Sequence, residues 1–233
     1  MRAERVGMRA AFTTALIVAS LMVVDRSVAQ DAYFPPLIFA PKVEGLNNLI
    51  DELTTINLRA LKEPSLWKLS RENRTVVSYR FLWIAANEHP MSLRLTRSGD
   101  DVVLNVKSHD KPPQATEARL RLDKELKLKF DEGRRIVDSL EKTKFWKAPV
   151  SVKEGRGIGD GDVIVIEGVR NGEYHVIDRA GCTTGESYKA FCRAILNAAG
   201  EPNALKTWER IRQAERKSPD YVAEPSETED LGD

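Results

Sequence analysis

The chain has 233 residues, 36 Lys plus Arg against 35 Asp plus Glu, 42% hydrophobic residues and two cysteines. A formal net charge of +1 gives no ground for nucleic-acid binding, which leaves a clearly basic domain. The length suits one domain with one core once the two ends are set aside.

Arg2, Arg5 and Arg9 precede an unbroken run from Ala10 to Val24 that carries no charge, and Ser27-Val28-Ala29 follows. That order predicts a secretory signal peptide over residues 1–29. The apolar run falls short of the roughly 20 residues a spanning helix needs, so membrane contact is expected only through this segment before cleavage. Cleavage would take four basic residues (Arg2, Arg5, Arg9, Arg26) and two acidic ones (Glu4, Asp25). Of the 36 basic and 35 acidic groups, 32 and 33 would remain, a net charge of −1. A periplasmic or secreted location follows as an expectation. In an oxidising compartment an even cysteine count predicts a disulfide, Cys182 to Cys192. Two thiols with no His or carboxylate pair beside them lack the ligands of structural zinc, and no metal or cofactor is expected.

Residues 30–42 hold three prolines, which exclude regular helix and predict an extended lead-in. In Val43 to Lys62, Leu46, Leu49, Ile50 and Leu53 share a helical face, and Pro64 ends the segment. Leu66, Trp67 and Leu69 are expected to cover the core. Strands are expected in Thr75 to Ile84, around Met91, Leu93 and Leu95, and around Val102, Leu104 and Val106, with a turn at Ser98-Gly99-Asp100. His109 to Glu117 reads as a loop, and Ala118 to Leu122 can resume the sheet. A helix is expected over Asp131 to Glu141, with Phe145 and Trp146 beyond it.

Asn171-Gly172 between two strand-like runs, Asp162 to Arg170 and Glu173 to Arg179, predicts a type I′ hairpin. Both of its faces are largely apolar, so a central, doubly covered position is expected. After Thr183 and Glu186, a capping box, a helix is expected to bury Tyr188, Phe191, Cys192, Ile195 and Leu196. A last helix is expected from Ala204 to about Ala214, closing a globular domain of residues 43–214. Residues 215–233 read as a disordered acidic tail. The fold class predicted is α+β: a single domain, mainly an antiparallel sheet of about five or six strands with three or four helices.

The hairpin parity sets Glu167 against Val176 and Gly168 against His175, so Glu167 and His175 lie on opposite faces. A carboxylate on an apolar face needs a cation, because an unpaired buried charge is costly. Arg80 and Arg94, on neighbouring strands, are the expected partners, in preference to Arg179, which shares the His175 face. His175, beside Gly168, has room for its ring to lie over the neighbouring backbone, and a satisfied structural histidine is expected in preference to a site residue. Gly155 to Gly161 (GRGIGDG) precedes a strand and has no following Lys-Ser/Thr, so it reads as a turn and not a phosphate loop. His89 and His109 have no ligand partner at metal spacing, and Gly-x-Ser-x-Gly is absent from the sequence.

SYRFLW (Ser78 to Trp83), His89-Pro90 with Ser92-x-Arg94, Phe145-Trp146, and Glu167-Gly168 with Gly172-x-Tyr174-His175 and Arg179 together resemble a family of uncharacterised exported bacterial proteins. The resemblance spans about Leu61 to Gly200; such relatives often carry Trp where this chain has Ile164. It implies a small exported α+β domain with Arg80, Arg94, Glu167, His175 and Arg179 as candidate binding residues. No catalytic residue is assigned. The expected function is non-catalytic binding of a small molecule or an envelope protein. The alternatives are a small hydrolase or isomerase with Glu167 or His175 as acid/base and an Arg holding an anion, and an envelope-associated structural or assembly factor.

Overall fold

The computed structural model describes residues 32–39, 47–84, 89–110, 119–151, 162–179 and 185–201, and the helical positions 206 and 210. The elements in chain order are helix α1 (Asn47–Ala60), helix α2 (Leu66–Glu72), strands β1 (Val77–Ile84), β2 (Met91–Ser98), β3 (Asp101–His109) and β4 (Leu120–Leu128), helix α3 (Phe130–Glu141), a 3-10 turn (Phe145–Lys147), strands β5 (Val163–Arg170) and β6 (Glu173–Arg179), and helix α4 (Gly185–Ala198). The six strands form one antiparallel sheet in the order β4-β3-β2-β1-β5-β6. A four-strand meander is thus extended on the β1 side by the β5–β6 hairpin, giving the α+β domain expected.

The turns follow local chemistry. Asn171 and Gly172 take φ of 52° and 79°, the positive pair a type I′ turn requires. Gly99, at φ 60°, turns β2 into β3. The observed pairing of Glu167 with Val176 and Gly168 with His175 matches the predicted parity. The hairpin is not wholly central, however. β5 is interior, but among the described residues β6 is an edge strand, with Val176, Ile177, Asp178 and Arg179 buried.

Two further expectations need correction. His109 does not open a loop: it ends β3 and is buried. The fourth strand runs to Leu128, well past Leu122. Its exposed Arg121, Asp123, Glu125 and Lys127 depress strand propensity, yet such charges suit an edge by discouraging pairing with another chain.

Alternation divides the sheet into two unlike faces. One presents Tyr79, Phe81, Trp83, Leu93, Leu95, Val102, Leu104, Val106, Ile164, Ile166 and Ile177 to α3 and α4, which bury Ile136, Leu140, Phe191, Cys192, Ile195 and Leu196. The other presents Leu82, Ile84, Val165 and Val176 to the lead-in residues Phe34 and Phe39 and to Leu58 and Leu61 at the end of α1. Trp83 is buried, and Trp67 and Trp146 are half-buried. Among the described residues no helix is long and apolar enough to cross a membrane. The signal segment, the Gly155 to Gly161 run, Cys182, Thr183, Trp208 and the acidic tail lie outside the described residues.

Candidate functional site

The second face carries a line of polar side chains across the strands. In register, Glu125 of β4 stands opposite Asn105 of β3, Asn105 opposite Arg94 of β2, Arg94 opposite Arg80 of β1, and Arg80 opposite Glu167 of β5. Two arginines directly across a strand pair repel, and both need a carboxylate.

Glu167 supplies one. Arg80 donates from Nε to Glu167 Oε2 at 2.7 Å and from Nη2 to the same oxygen, and the Tyr174 hydroxyl donates to Oε1 at 2.9 Å. Arg80 and Glu167 are both fully buried. Glu63 supplies the other carboxylate. Its Oε2 lies 2.8 Å from Arg94 Nε and 3.5 Å from Arg80 Nη1, and its Oε1 lies 3.4 Å from Lys107 Nζ. The ends of the cluster are tied to backbone: Arg80 Nη1 donates to the Pro64 carbonyl at 2.6 Å, and Lys107 Nζ to the Lys62 carbonyl at 3.0 Å. Three cations and two carboxylates leave this buried cluster at +1.

Glu63 reaches its position through the end of α1. Lys62 adopts φ 52°, Lys62 N–H bonds the Arg59 carbonyl and Glu63 N–H bonds the Leu58 carbonyl, each at 2.9 Å. That is a Schellman closure with Lys in the left-handed position glycine usually fills, and Pro64 prevents the helix from resuming. The closure turns Glu63 inward over the sheet. Asn57 anchors the same turn of α1, since His109 Nε2 lies 2.9 Å from its Oδ1 and His109 Nδ1 lies 2.7 Å from the Asp110 carbonyl.

Burial alone pushes the Glu167 carboxyl up and the Arg80 guanidinium down. For Arg80 the Glu167 and Glu63 carboxylates outweigh burial and raise it above its ordinary value. For Glu167 burial prevails over Arg80 and Tyr174, and the carboxyl lies above its usual 4.5. The two directions pull apart, one favouring an ionised pair and the other a neutral acid. Geometry favours the ionised pair, because two N–H groups of a permanently charged guanidinium converge on one oxygen. Tyr174 is held neutral, raised well above 10 by burial and by the adjacent Glu167 carboxylate.

The remaining candidates do not join this cluster. His175 lies on the other face, as expected, and is a satisfied structural histidine. Phe145 occupies the space beside Gly168: a Cβ at Gly168 would come within 2.7 Å of Phe145 Cε1, and the His175 ring packs edge-on to Phe145 at 5.1 Å. His175 Nε2–H donates to the Ala148 carbonyl at 3.0 Å, and burial lowers this histidine below its ordinary value. Arg179 is buried, donating to the carbonyls of Val150, Pro149 and Asp178, with its guanidinium over Tyr188. Both residues pin the segment after the 3-10 turn to β6. Of the five residues named from sequence, Arg80, Arg94 and Glu167 come together and His175 and Arg179 stand apart.

Sequence reasoning missed Glu63, Lys107 and Tyr174. Lys107 and Tyr174 were legible as polar positions in alternating strands. Glu63 sits in an interhelical connection, where periodicity says nothing about direction.

Above the cluster, Tyr33, Arg59, Glu63, Pro64, Ser65 and Lys68 line a cleft of about 340 Å³. Neither Glu167 nor His175 borders it. No family model, curated protein or solved structure matches the chain. Among the described residues no group of His, Cys, Asp and Glu is placed to hold a metal ion.

Proposed function

We propose that the protein is an exported, non-catalytic binding module. One observation carries this reading: the two side chains best suited to acid/base work are committed within filled faces, on opposite sides of the sheet. Both Glu167 oxygens accept hydrogen bonds from Arg80 and Tyr174, and His175 donates to Ala148. A general base must reach a substrate proton, and Glu167 is wholly enclosed. The hydrolase or isomerase alternative would need these groups to converge on one void. The cleft above the cluster is therefore the natural place for a ligand.

Export rests on the basic, apolar and small-residue order of residues 1–29. With it goes the Cys182 to Cys192 disulfide, whose Cys192 half is buried on α4; it would close a loop worth about 3 kcal/mol in the chain-entropy model. Fractionation with intact-mass measurement tests both: the expected result is a periplasmic or secreted chain beginning near Gln30 and two mass units lighter than its reduced form. Full-length protein confined to the cytosol, with both thiols alkylatable, would overturn them.

Binding against catalysis is tested by incubating the mature protein with envelope metabolites and analysing whatever raises its melting temperature. The ligand should be recovered chemically unchanged. Conversion of the ligand that disappears in Glu167→Gln or His175→Gln variants matching the wild type in stability would establish the enzyme instead.

A further inference from the structure

The lead-in carries a turn built against its own sequence. Ile38 N–H bonds the Pro35 carbonyl at 3.3 Å, and Leu37 takes φ 60°. With Pro36 at the second position this is a type II turn, whose third position calls for glycine or asparagine. Leu37 is strained there, because a Cβ in the left-handed region crowds the following carbonyl. It is also 76% exposed, so no burial offsets the strain. The residues on either side are fixed: Phe34 and Phe39 are buried edge to face at 5.0 Å, in one cluster with Leu58 and Leu61 at the end of α1. A rigid base thus holds an apolar tip, Pro36-Leu37, out in solvent. A residue that local conformation and solvation both disfavour marks a place where something else sets the choice.

The surface beside the tip is basic. The Tyr33 hydroxyl donates to the Glu63 carbonyl at 2.9 Å, and Ser65 Oγ donates to the Tyr33 carbonyl at 2.7 Å, which lays the start of the lead-in across residues 63–65. Lys62, exposed, and Lys68, half-buried, flank that crossing in sequence, and the exposed Arg71 and Arg74 follow. Of the two carboxylates in residues 62–74, Glu63 is turned into the buried cluster and Glu72 alone is exposed. Asp51 and Glu52 lie about two turns back along α1. Trp67, half-buried with the Arg71 guanidinium 5.3 Å over its ring, adds an amphipathic ring of the kind found at membrane interfaces.

We infer that the Leu37 tip and the basic surface of residues 62–74 form a docking surface for an anionic lipid bilayer. Leu37 enters the boundary of the acyl chains while the lysines and arginines meet headgroup phosphates, the combination of apolar area and charge that holds non-spanning contacts. Charge complementarity decides the occupant. A second copy would set these cations against their own kind, and an apolar pocket in a partner protein would give them no role. The inference goes beyond the binding reading above and does not depend on the cleft holding a ligand.

Flotation of the mature chain, which lacks the apolar signal segment, tests it with vesicles of phosphatidylcholine alone and of an equal mixture with phosphatidylglycerol. The chain should float with the mixture and not with phosphatidylcholine, and added salt should weaken binding. Leu37→Asp should weaken it about tenfold or more, and Lys62→Gln with Arg71→Gln about tenfold or more, while Lys127→Gln on the exposed edge strand should leave it unchanged. Leu37→Asn separates docking from structure: asparagine takes a positive φ more readily than leucine, so the melting temperature should not fall although vesicle binding does. No flotation with the mixture at low salt, equal flotation with both vesicles, or binding unchanged in Leu37→Asn would overturn the inference. Self-association in sedimentation that Leu37→Asp abolishes, with no flotation, would also overturn it and assign the tip to a second copy.

Discussion

The two faces of the sheet are closed by the same backbone device and filled with opposite chemistry. At the end of α1, Lys62 takes φ 52° and delivers Glu63 onto one face; after α3, Lys144 takes φ 55° and delivers Phe145 onto the other. Phe145 enters a hydrocarbon core and fills the space a Cβ at Gly168 would need. Glu63 enters a cluster of three cations and is held by charge. Hydrocarbon burial is non-directional and stabilising outright. A buried ion cluster returns little net stability after desolvation, and what it fixes is arrangement. The apolar face, with the larger hydrocarbon cluster, therefore carries the larger share of the folding free energy, whereas on the other face the ion cluster, beside a smaller hydrocarbon cluster around Phe34, Leu58 and Val165, sets how the end of α1 lies relative to the strands.

The largest effects should come from breaking each face by its own logic. Glu167→Gln removes one carboxylate from a fully enclosed pair and should cost about 3–5 kcal/mol, because Arg80 keeps its charge in a dry site. The double variant Arg80→Met with Glu167→Leu should recover most of that loss, since no orphan charge remains between those strands. Denaturant unfolding of Arg80→Met, Glu167→Leu and their double, beside Glu167→Gln, checks this. Additive losses would mean that the pair is not coupled. On the apolar face Leu104→Ala should cost a similar 2–5 kcal/mol, but no second substitution of a contacting residue by a smaller one should repair it. Rescue of the lost counter-charge, and not of the cavity, by a second substitution that removes atoms is the expected signature of charge against cavity.

A smaller effect probes fit rather than charge. Gly168→Ala places a Cβ 2.7 Å from Phe145 Cε1, overpacking that should cost about 1–3 kcal/mol. Trimming the neighbour with Phe145→Leu should lessen the penalty of Gly168→Ala, although Phe145→Leu alone destabilises. If Gly168→Ala is neutral in thermal unfolding, the close approach of the 3-10 turn to β5 does not constrain this face.

How much of this contrast the chain announces depends on the range of the signal. Period-two patterning and the Asn171-Gly172 turn fix which hairpin residues share a face, and they lead directly to the Arg80–Glu167 pair. The apolar helical face of α4 is legible in the same way. Arg94 illustrates the limit: it lies on the expected face but pairs with Glu63, 31 residues away in sequence and placed by a helix closure. No local pattern reports that reach, because a Lys in the left-handed conformation looks like any surface lysine. Arg179 and His175 are candidates only through the family resemblance. Their actual partners are backbone carbonyls of residues 148–150 and 178, which carry no side-chain signature at all. The full length of β4 is hidden for a related reason: its charged alternation is legible only once it is known to be an edge.

The smallest predicted effect belongs to His175, which the apolar face holds half-buried. Burial lowers this histidine below its ordinary 6.5, against the opposing hydrogen bond to Ala148, with Arg179 adding to the depression. Below pH 6.5 the unfolded chain takes up a proton that the native ring resists, so the unfolded state binds more protons and stability falls as pH falls. The contribution is complete above that value and is lost progressively down to the native value, below which the slope vanishes. His175→Gln, which keeps a donor for the Ala148 carbonyl but does not titrate, should flatten the dependence of unfolding midpoint on pH in this window without abolishing the fold. An unchanged slope in the variant would mean that His175 meets the same solvent folded and unfolded. Its packing against Phe145 and Trp146 would then not close off the apolar face at that end, and the division between a dry hydrocarbon side and a charged side would stop short of β6.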